Sequence, residues 1–519
     1  MDRALVQELR ERRAREYGQG LGRSFEAPLR MALAYPSPYR VAMSSLGYLQ
    51  IHRLANQRPL TACERAVLPD ADALDRHART RTPLLTLESA RPVGDFDLIG
   101  ISHAYELELT GVVQLLRLSG LEPLAADRTE NDPLVVLGGP ITFSNPLPSS
   151  VFADVVVLGE GEDSLDVLLT KLEADPSAAR GSAEARRALL EELALLPGFY
   201  VPSIHGDFLP PIGQADTADL PARSELHTPD TELSDMMLIE PERGCHRGCT
   251  FCVMRRTTNG GMRLFPVEKV ASLIPDDVRR VGLVGAAVTD HPGIRDLLRE
   301  LVDVRGKRIG ISSLRADRLD AELVGLLYRG GYRSMTVALD APSKRLRDVI
   351  EKNIREKHIH RAAQLAKEAG MRHLKLYVIV GLPDETEEDR AELIELCLEL
   401  RKTLPLVLGV SPFIPKFHTP LGDAPFAGEK EVKRMLAQLD RGLRGRVELR
   451  GPGAREAWVE YRLAQGGWEH GKAAIEVVDA GGGLGAWRRA LAPLPERFRP
   501  RNFPELLPPA TKRRRLAVL

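Results

Sequence analysis

The chain has 519 residues, in which 72 lysines and arginines are matched by 72 aspartates and glutamates, so its formal net charge is zero and nothing in that balance calls for a nucleic-acid or membrane partner. Hydrophobic residues at 43% and charged residues at 28% are ordinary for a globular protein, and at about 150 residues per domain the length allows two to four domains. No apolar run is long enough to span a bilayer, the first ten residues read as a charged amphipathic helix and not a signal peptide, and five cysteines, three of them on one loop, fit a reducing cytoplasm.

Residues 1–30 read as a basic helical arm. Residues 31–212 then alternate short apolar runs with helical patterns: strands at 40–43, 61–68, 96–101, 134–137 and 155–158, and helices at 48–56, 108–118, 164–172 and 173–195. The last two strands run into Gly138-Gly139 and into Gly159-Glu160-Gly161-Glu162. Strand, glycine turn and helix in repetition predict a Rossmann-like, doubly wound parallel sheet, which binds ligands at the carboxyl ends of its strands. A polar, proline-containing linker follows at 213–234. A second α/β pattern fills 235–425, with strands at 236–239, 281–284, 308–312, 335–339, 374–380 and 407–410 and helices at 267–274, 293–302, 321–328, 358–369 and 387–402. Residues 426–519 read as mainly helical, with a possible strand at 447–449, core or lid aromatics at Trp458, Tyr461 and Trp468, and a solvated basic cluster at 512–515.

Directly after the strand at 236–239 the sequence reads Glu-Arg-Gly-Cys-His-Arg-Gly-Cys-Thr-Phe-Cys, placing Cys245, Cys249 and Cys252 in a C-x-x-x-C-x-x-C array. Five cysteines scattered at random would give this spacing on the order of 0.0005 times per chain. Three thiolates can hold three irons of a 4Fe-4S cluster and leave the fourth open to another ligand. Zinc is the minor alternative, since it normally takes four protein ligands, or three and a water, often with histidine. His246 lies in the loop, but with Arg247 and Gly248 it suggests a tight basic turn wrapping a cluster.

With Phe251 in the aromatic place, the array resembles the signature of the radical S-adenosylmethionine (SAM) superfamily. The resemblance implies a partial (β/α)6 TIM-like barrel over 235–425, a cluster whose open iron chelates the amino and carboxylate groups of SAM, and cleavage of SAM to a deoxyadenosyl radical by one electron from a donor such as flavodoxin or ferredoxin. It also implies SAM contacts at Phe251 and, at strand ends, at Gly285, Ser312, Ser313, Arg315, Asp340 and Gly381. Gly285-Ala286-Ala287 stands where the family often has Gly-Gly-Glu, so the amine of SAM is left to backbone carbonyls or to Asp290.

The front domain resembles the cobalamin-binding domain that precedes many radical SAM enzymes. Gly138, Gly139, Gly159, Glu160, Gly161 and Glu162 match its two glycine turns, and Ser102 matches its serine after the third strand. Ser44, Ser45 and Gly47 occupy the place of its D-x-H-x-x-G loop, whose cobalt-binding histidine is absent here. Asp75-Arg76-His77 has the D-x-H spacing but no strand before it. His103 could face a corrin, although a histidine after a strand is more often simply hydrogen-bonded. Together these features imply cobalamin as a further cofactor and methyl transfer to an unactivated carbon of an unspecified substrate; the plain alternative is a Rossmann-like domain without a ligand. A second reading, an RNA or ribosomal-protein methylthiotransferase, calls for three more cysteines in the front half, which offers only Cys63, and for a small β domain at the end. A third, a non-catalytic cluster or cofactor carrier, has little need of an open iron. Cys63 and Cys397 read as structural.

Overall fold

In the computed structural model, residues 2–18, 27–216, 219–254, 261–312, 314–501 and 517–518 are described. The chain folds as two units, Met1–Asp235 with Arg462–Leu507, and Met236–Tyr461 with Pro508–Leu519.

The first unit is built on a strand that the sequence reading did not mark, lying between a basic arm that ends at 30 and a first strand expected at 40–43. Leu29–Tyr35 (β1) is apolar but for Arg30, whose guanidinium forms a two-point pair with Asp97 at 2.7 and 3.0 Å. Residues 40–43, expected as the first strand, instead belong to the short helix Tyr39–Ala42, which starts directly after Pro38. Thr61–Val67 (β2), Leu98–Ser102 (β3), Leu134–Gly138 (β4) and Val155–Val157 (β5) lie parallel to β1 or to one another, and Phe199–Tyr200 (β6) closes the edge antiparallel to β5. The order is β2-β1-β3-β4-β5-β6. The strands are buried almost throughout, as a parallel sheet covered on both faces requires. The order reverses between β1 and β3, the switch point at which doubly wound sheets of this order take ligands.

Burial extends to charged positions of β2. Arg65 is fully buried, with Glu16 at 2.6 Å and Glu88 at 2.6 Å, and the Tyr39 hydroxyl donates to the same Glu16 at 2.6 Å. The helix expected at 173–195 is interrupted at Asp175-Pro176: one helix, Glu162–Ala174, precedes the break, and Ser182 caps the next, Ala183–Ala194.

The tail helices do not stand alone. Trp468–Asp479 and Gly483–Leu491 belong to the first unit. The Asn145 side-chain amide donates to the carbonyls of Ala464 and Gly466 at 3.1 and 2.7 Å, Arg117 pairs with Asp479 at 2.6 Å, and Gly471 passes so close to Pro148 that a Cβ would strike its carbonyl oxygen. Trp468 packs its ring 5.9 Å from that of Phe498.

In the second unit, Met236–Ile239 (β7), Arg280–Leu283 (β10) and Arg308–Ile311 (β11) form one parallel sheet, in the order β11-β10-β7. Ser334–Asp340 (β12), His373–Val380 (β13), Leu406–Pro412 (β14) and Glu448–Arg450 (β15) form another. Six strands were expected, and β15, read from sequence as a possible strand in the helical tail, pairs parallel with β14. Between β7 and β10 lies a hairpin that the sequence reading missed, Glu242–Gly244 (β8) with Met262–Leu264 (β9). Side chains of β12 and β13 alternate between buried and partly exposed positions, so one face of this sheet is left free to line a site. No described helix is long and apolar enough to cross a membrane. The basic cluster at 512–515 lies outside the described residues.

Arg65→Met removes the cation that the buried Glu16 and the half-buried Glu88 share. We expect it to lower the unfolding free energy of the first unit by about 3–5 kcal/mol, read as a lower urea midpoint.

Candidate functional site

The cysteine loop springs from β8. Gly244 takes φ +90, a conformation that L side chains rarely adopt, and turns the chain directly into Cys245. Cys245 packs on Met262 and Leu264 of β9 and on Ala287, beyond β10. Phe251 packs at the carboxyl ends of the other sheet, on Ala341, Leu346, Ile350, Leu382 and Phe413. The Thr250 N–H donates to the Ile350 carbonyl at 3.2 Å, and the Thr250 carbonyl accepts from the Leu421 N–H at 3.1 Å. One short loop is therefore fastened to strand ends of both sheets.

Arg247 supplies the polar fastening. Its Nε and Nη2 donate to Asp290 at 2.8 and 2.6 Å, and Arg318 Nε donates to the same carboxylate at 2.8 Å. Burial opposes the charge on Asp290, yet the hydrogen bond and charge of Arg247, followed by Arg315 and Arg318, hold its carboxyl below the ordinary range. Asp290, one of the two sequence candidates for the amine of SAM, is thus committed to the loop itself.

Burial pushes all three thiols up, Cys252 to about 11. Such sulfurs are poor thiolates alone and good ones against a metal. Three thiolates on one short loop, each able to take a different iron, are the donor set of a 4Fe-4S cluster, and Cys245, Cys249 and Cys252 would hold it.

The expected SAM positions lie at carboxyl ends of the same strands. Gly285 follows β10, and the Ser312 hydroxyl, past β11, both donates to the Gly285 carbonyl at 2.8 Å and accepts from its N–H at 3.0 Å. Ser313 lies outside the described residues. Arg315 turns to Asp317 at 3.1 Å and reaches the Lys352 carbonyl at 3.4 Å. Asp340 ends β12 at φ +64 beside a register shift and is ion-paired with Lys352. Gly381 follows β13 at φ +83, its N–H donating to Glu385 at 2.7 Å.

Sequence reasoning missed Glu242. It lies on β8, fully buried, with one carboxylate oxygen accepting from the Ala287 N–H at 2.8 Å and the other without a hydrogen-bond partner. Burial pushes its carboxyl up to about 8, with Glu240 and Asp290 adding to the rise. Its place three residues before the first cysteine, just past the apolar run at 236–239, was the available signal.

In the first unit, Ser45 caps the helix Leu46–Gln57, Ser44 donates to the Arg40 carbonyl at 2.8 Å, and a Cβ on Gly47 would meet nothing within 4 Å. Ser102 and Gly138 end β3 and β4 in register. The close approaches at the glycine turns are made by the chain's own backbone. A Cβ on Gly139 would lie 2.6 Å from the His103 carbonyl, and one on Gly159 would lie 2.5 Å from that of Gly213. Residues 213–215, expected as linker, strap this end of the sheet: the Gly213 N–H donates to the Leu158 carbonyl at 2.7 Å, and the Ala215 N–H to Glu160 at 2.7 Å. Gly161 precedes the helix that Glu162 opens. Both ring nitrogens of His103 are engaged, with the Ser149 hydroxyl and the Tyr105 carbonyl at 2.8 Å each, so it is the hydrogen-bonded histidine and not one turned to a ligand. At the switch point the Ser37 hydroxyl donates to Glu108 at 2.7 Å, joining the loops that follow β1 and β3.

Comparison with known proteins places this geometry in a class. The family described as radical SAM proteins, N-terminal, matches residues 47–202, and the radical SAM superfamily matches residues 239–397. The chain is a radical SAM enzyme. It is 29% identical over 432 residues to the uncharacterized protein MJ0966 of Methanocaldococcus jannaschii, covering 80% of this chain and 85% of that one. It is 25% identical over 223 residues to the threonylcarbamoyladenosine tRNA methylthiotransferase MtaB of Aquifex aeolicus, covering 40% of this chain and 51% of that one. Among solved structures, the radical S-adenosylmethionine methyltransferase TsrM from Kitasatospora setae, with tryptophan substrate and a SAM analogue bound, superposes with a TM-score of 0.53 at 18% identity, covering 76% of this chain and 75% of that chain. That likeness is one of fold.

Two substitutions separate ligation from loop anchoring. Cys249→Ala is expected to take the reconstituted protein from about four irons per chain to near none. Asp290→Asn keeps the three thiols but loosens Arg247, and is expected to speed iron loss to a chelator several-fold, followed in the visible spectrum.

Proposed function

We propose that this radical SAM enzyme also binds a cobalamin and transfers a methyl group from SAM to an unactivated carbon of its substrate. The observation that carries the reading is the first unit's sheet, whose order reverses between β1 and β3 and whose strands end there in small and polar residues. The residues that would face a corrin are Ser44, Ser45 and Gly47, beyond the short helix Tyr39–Ala42 that follows β1, with Ser102 at the end of β3 and Gly138 at the end of β4. Among these, Gly47 borders open space, since a Cβ there would meet nothing within 4 Å, whereas one on Gly138 would touch Val157 at 3.7 Å. No histidine stands in the loop after β1, so the protein would supply no imidazole to the metal from that loop. The fold shared with a SAM methyltransferase over three quarters of the chain supports the same reading.

A cluster held by Cys245, Cys249 and Cys252 would supply the electron that cleaves SAM, taken from a one-electron carrier of the flavodoxin or ferredoxin kind in a reducing cytoplasm. The chain's own part is to bury the sulfurs, to tie their loop to Asp290 and Ile350, and to present Gly285, Ser312, Arg315, Asp340 and Gly381 at the strand ends where SAM would lie. The partial likeness to a methylthiotransferase is confined to part of that enzyme. Cys63 and Cys397 are both buried with thiols pushed up by burial, Cys397 to about 12, which suits packing and not a second cluster.

Anaerobically reconstituted protein given SAM and a chemical reductant is expected to release 5′-deoxyadenosine. The same protein is expected to retain added hydroxocobalamin through gel filtration, seen in its visible spectrum. Release of deoxyadenosine with no cobalamin retained would overturn the methyltransferase reading while leaving the radical SAM chemistry intact.

A further inference from the structure

The Gly285-Ala286-Ala287 turn carries no acid of its own, and Asp290, the nearest acid in sequence, has both oxygens taken by Arg247 and Arg318. The turn nonetheless meets a carboxylate. Glu242 reaches it from β8, three residues before Cys245, and accepts the Ala287 N–H at 2.8 Å. Its fit against Gly285 is tight: a Cβ there would strike Glu242 Oε1 and lie 3.1 Å from Val288 Cγ2, so the turn needs glycine in order to admit the acid.

Its second oxygen is the telling atom. Glu242 is fully buried, and Oε2 has no hydrogen-bond partner among the described residues. A buried carboxyl oxygen left unpaired costs free energy that a native site does not carry without a use. The charged groups around it do not compensate. Glu240 and Asp290 are acids, Arg243 is bound to Glu240 at 2.8 Å, Arg247 and Arg318 are bound to Asp290, and Arg315 is bound to Asp317. The position asks for a cation with N–H donors, and it lies between the first cysteine and the turn after β10.

We propose that Glu242 receives the α-ammonium group of SAM at the Gly285–Ala287 turn, supplying from the cysteine-bearing hairpin the acid that the turn lacks. The proposal rests on the radical SAM assignment and is independent of cobalamin. An ammonium group brings three donors and a full positive charge. It would give Oε2 the partner it lacks and leave Oε1 on Ala287. Glu242 would then orient the amino-acid end of SAM beside the open iron that the same loop holds.

The test uses Glu242→Gln, which keeps the shape of the side chain and the acceptor for the Ala287 N–H but removes the charge. In reconstituted protein, calorimetric Kd values are measured for SAM, for S-adenosylhomocysteine, which also has the ammonium, and for 5′-methylthioadenosine, which does not. The expected result is a loss of affinity of about thirtyfold or more for the first two, no change for methylthioadenosine, unchanged iron content, and partial recovery in Glu242→Asp. Affinity for SAM equal to that of the unaltered protein would overturn the proposal. So would an equal loss for all three ligands, or a loss of iron, each of which marks a merely structural role. Cobalamin retention, measured on the same samples, reports separately on the methyltransferase reading.

Discussion

A thiol withdrawn from water resists ionisation, and the second unit holds three within one short loop, Cys249 buried and Cys245 and Cys252 half-buried. Only a strong local positive charge makes such sulfurs useful, and a cubane supplies it at three irons while keeping one iron for another ligand. The rest of the site follows from that need. The loop must be stiff before the metal arrives, so its backbone is bonded to Ile350 and Leu421 and its aromatic residue is sunk among the strand ends of the larger sheet. It must also be electrostatically anchored, and Arg247 does this across to the strand-end turn of the smaller sheet.

Two buried acids near that turn show how environment divides labour between like groups. Asp290 is surrounded by guanidinium groups and stays charged. Glu242, with acids as its charged neighbours and the backbone N–H groups of Ala287 and Ala286 as its anchors, has its carboxyl pushed up to about 8 by burial. The first is spent on holding the loop together, and the second is left with unused capacity. A like division runs through the glycines of the first unit. Gly139 and Gly159 let the chain's own backbone close on itself, whereas Gly47 borders open space.

Much of this was legible in the sequence. Strands β7, β10, β11, β12, β13 and β14 fall where their apolar runs stand, because parallel strands buried by flanking helices need little else to mark them. The cysteine array was unmistakable because cysteines are so few. What escaped notice depended on partners far along the chain. Strand β1 went unmarked where the basic arm gave way to the first domain, with Arg30 near its start carrying a charge that contact with Asp97 makes tolerable there. The β8–β9 hairpin is three residues on each side and carries charged Glu242, Arg243 and Arg263, so no periodicity betrays it. Glu242 and Asp290 differ only in the company they keep, which spacing does not encode.

The first unit is discontinuous: its sheet comes from the beginning of the chain, and the helices that finish it follow Tyr461. During synthesis the strands β1 to β6 leave the ribosome long before Asn145 can find the carbonyls of Ala464 and Gly466, or Arg117 its Asp479. In between, residues 236–461 of the cysteine-bearing unit must emerge. The amino-terminal unit is therefore begun first and finished only after them, with unfinished surface exposed for as long as the intervening residues take to be made. Truncation from the carboxyl end would remove its closing helices while leaving every strand of its sheet in place.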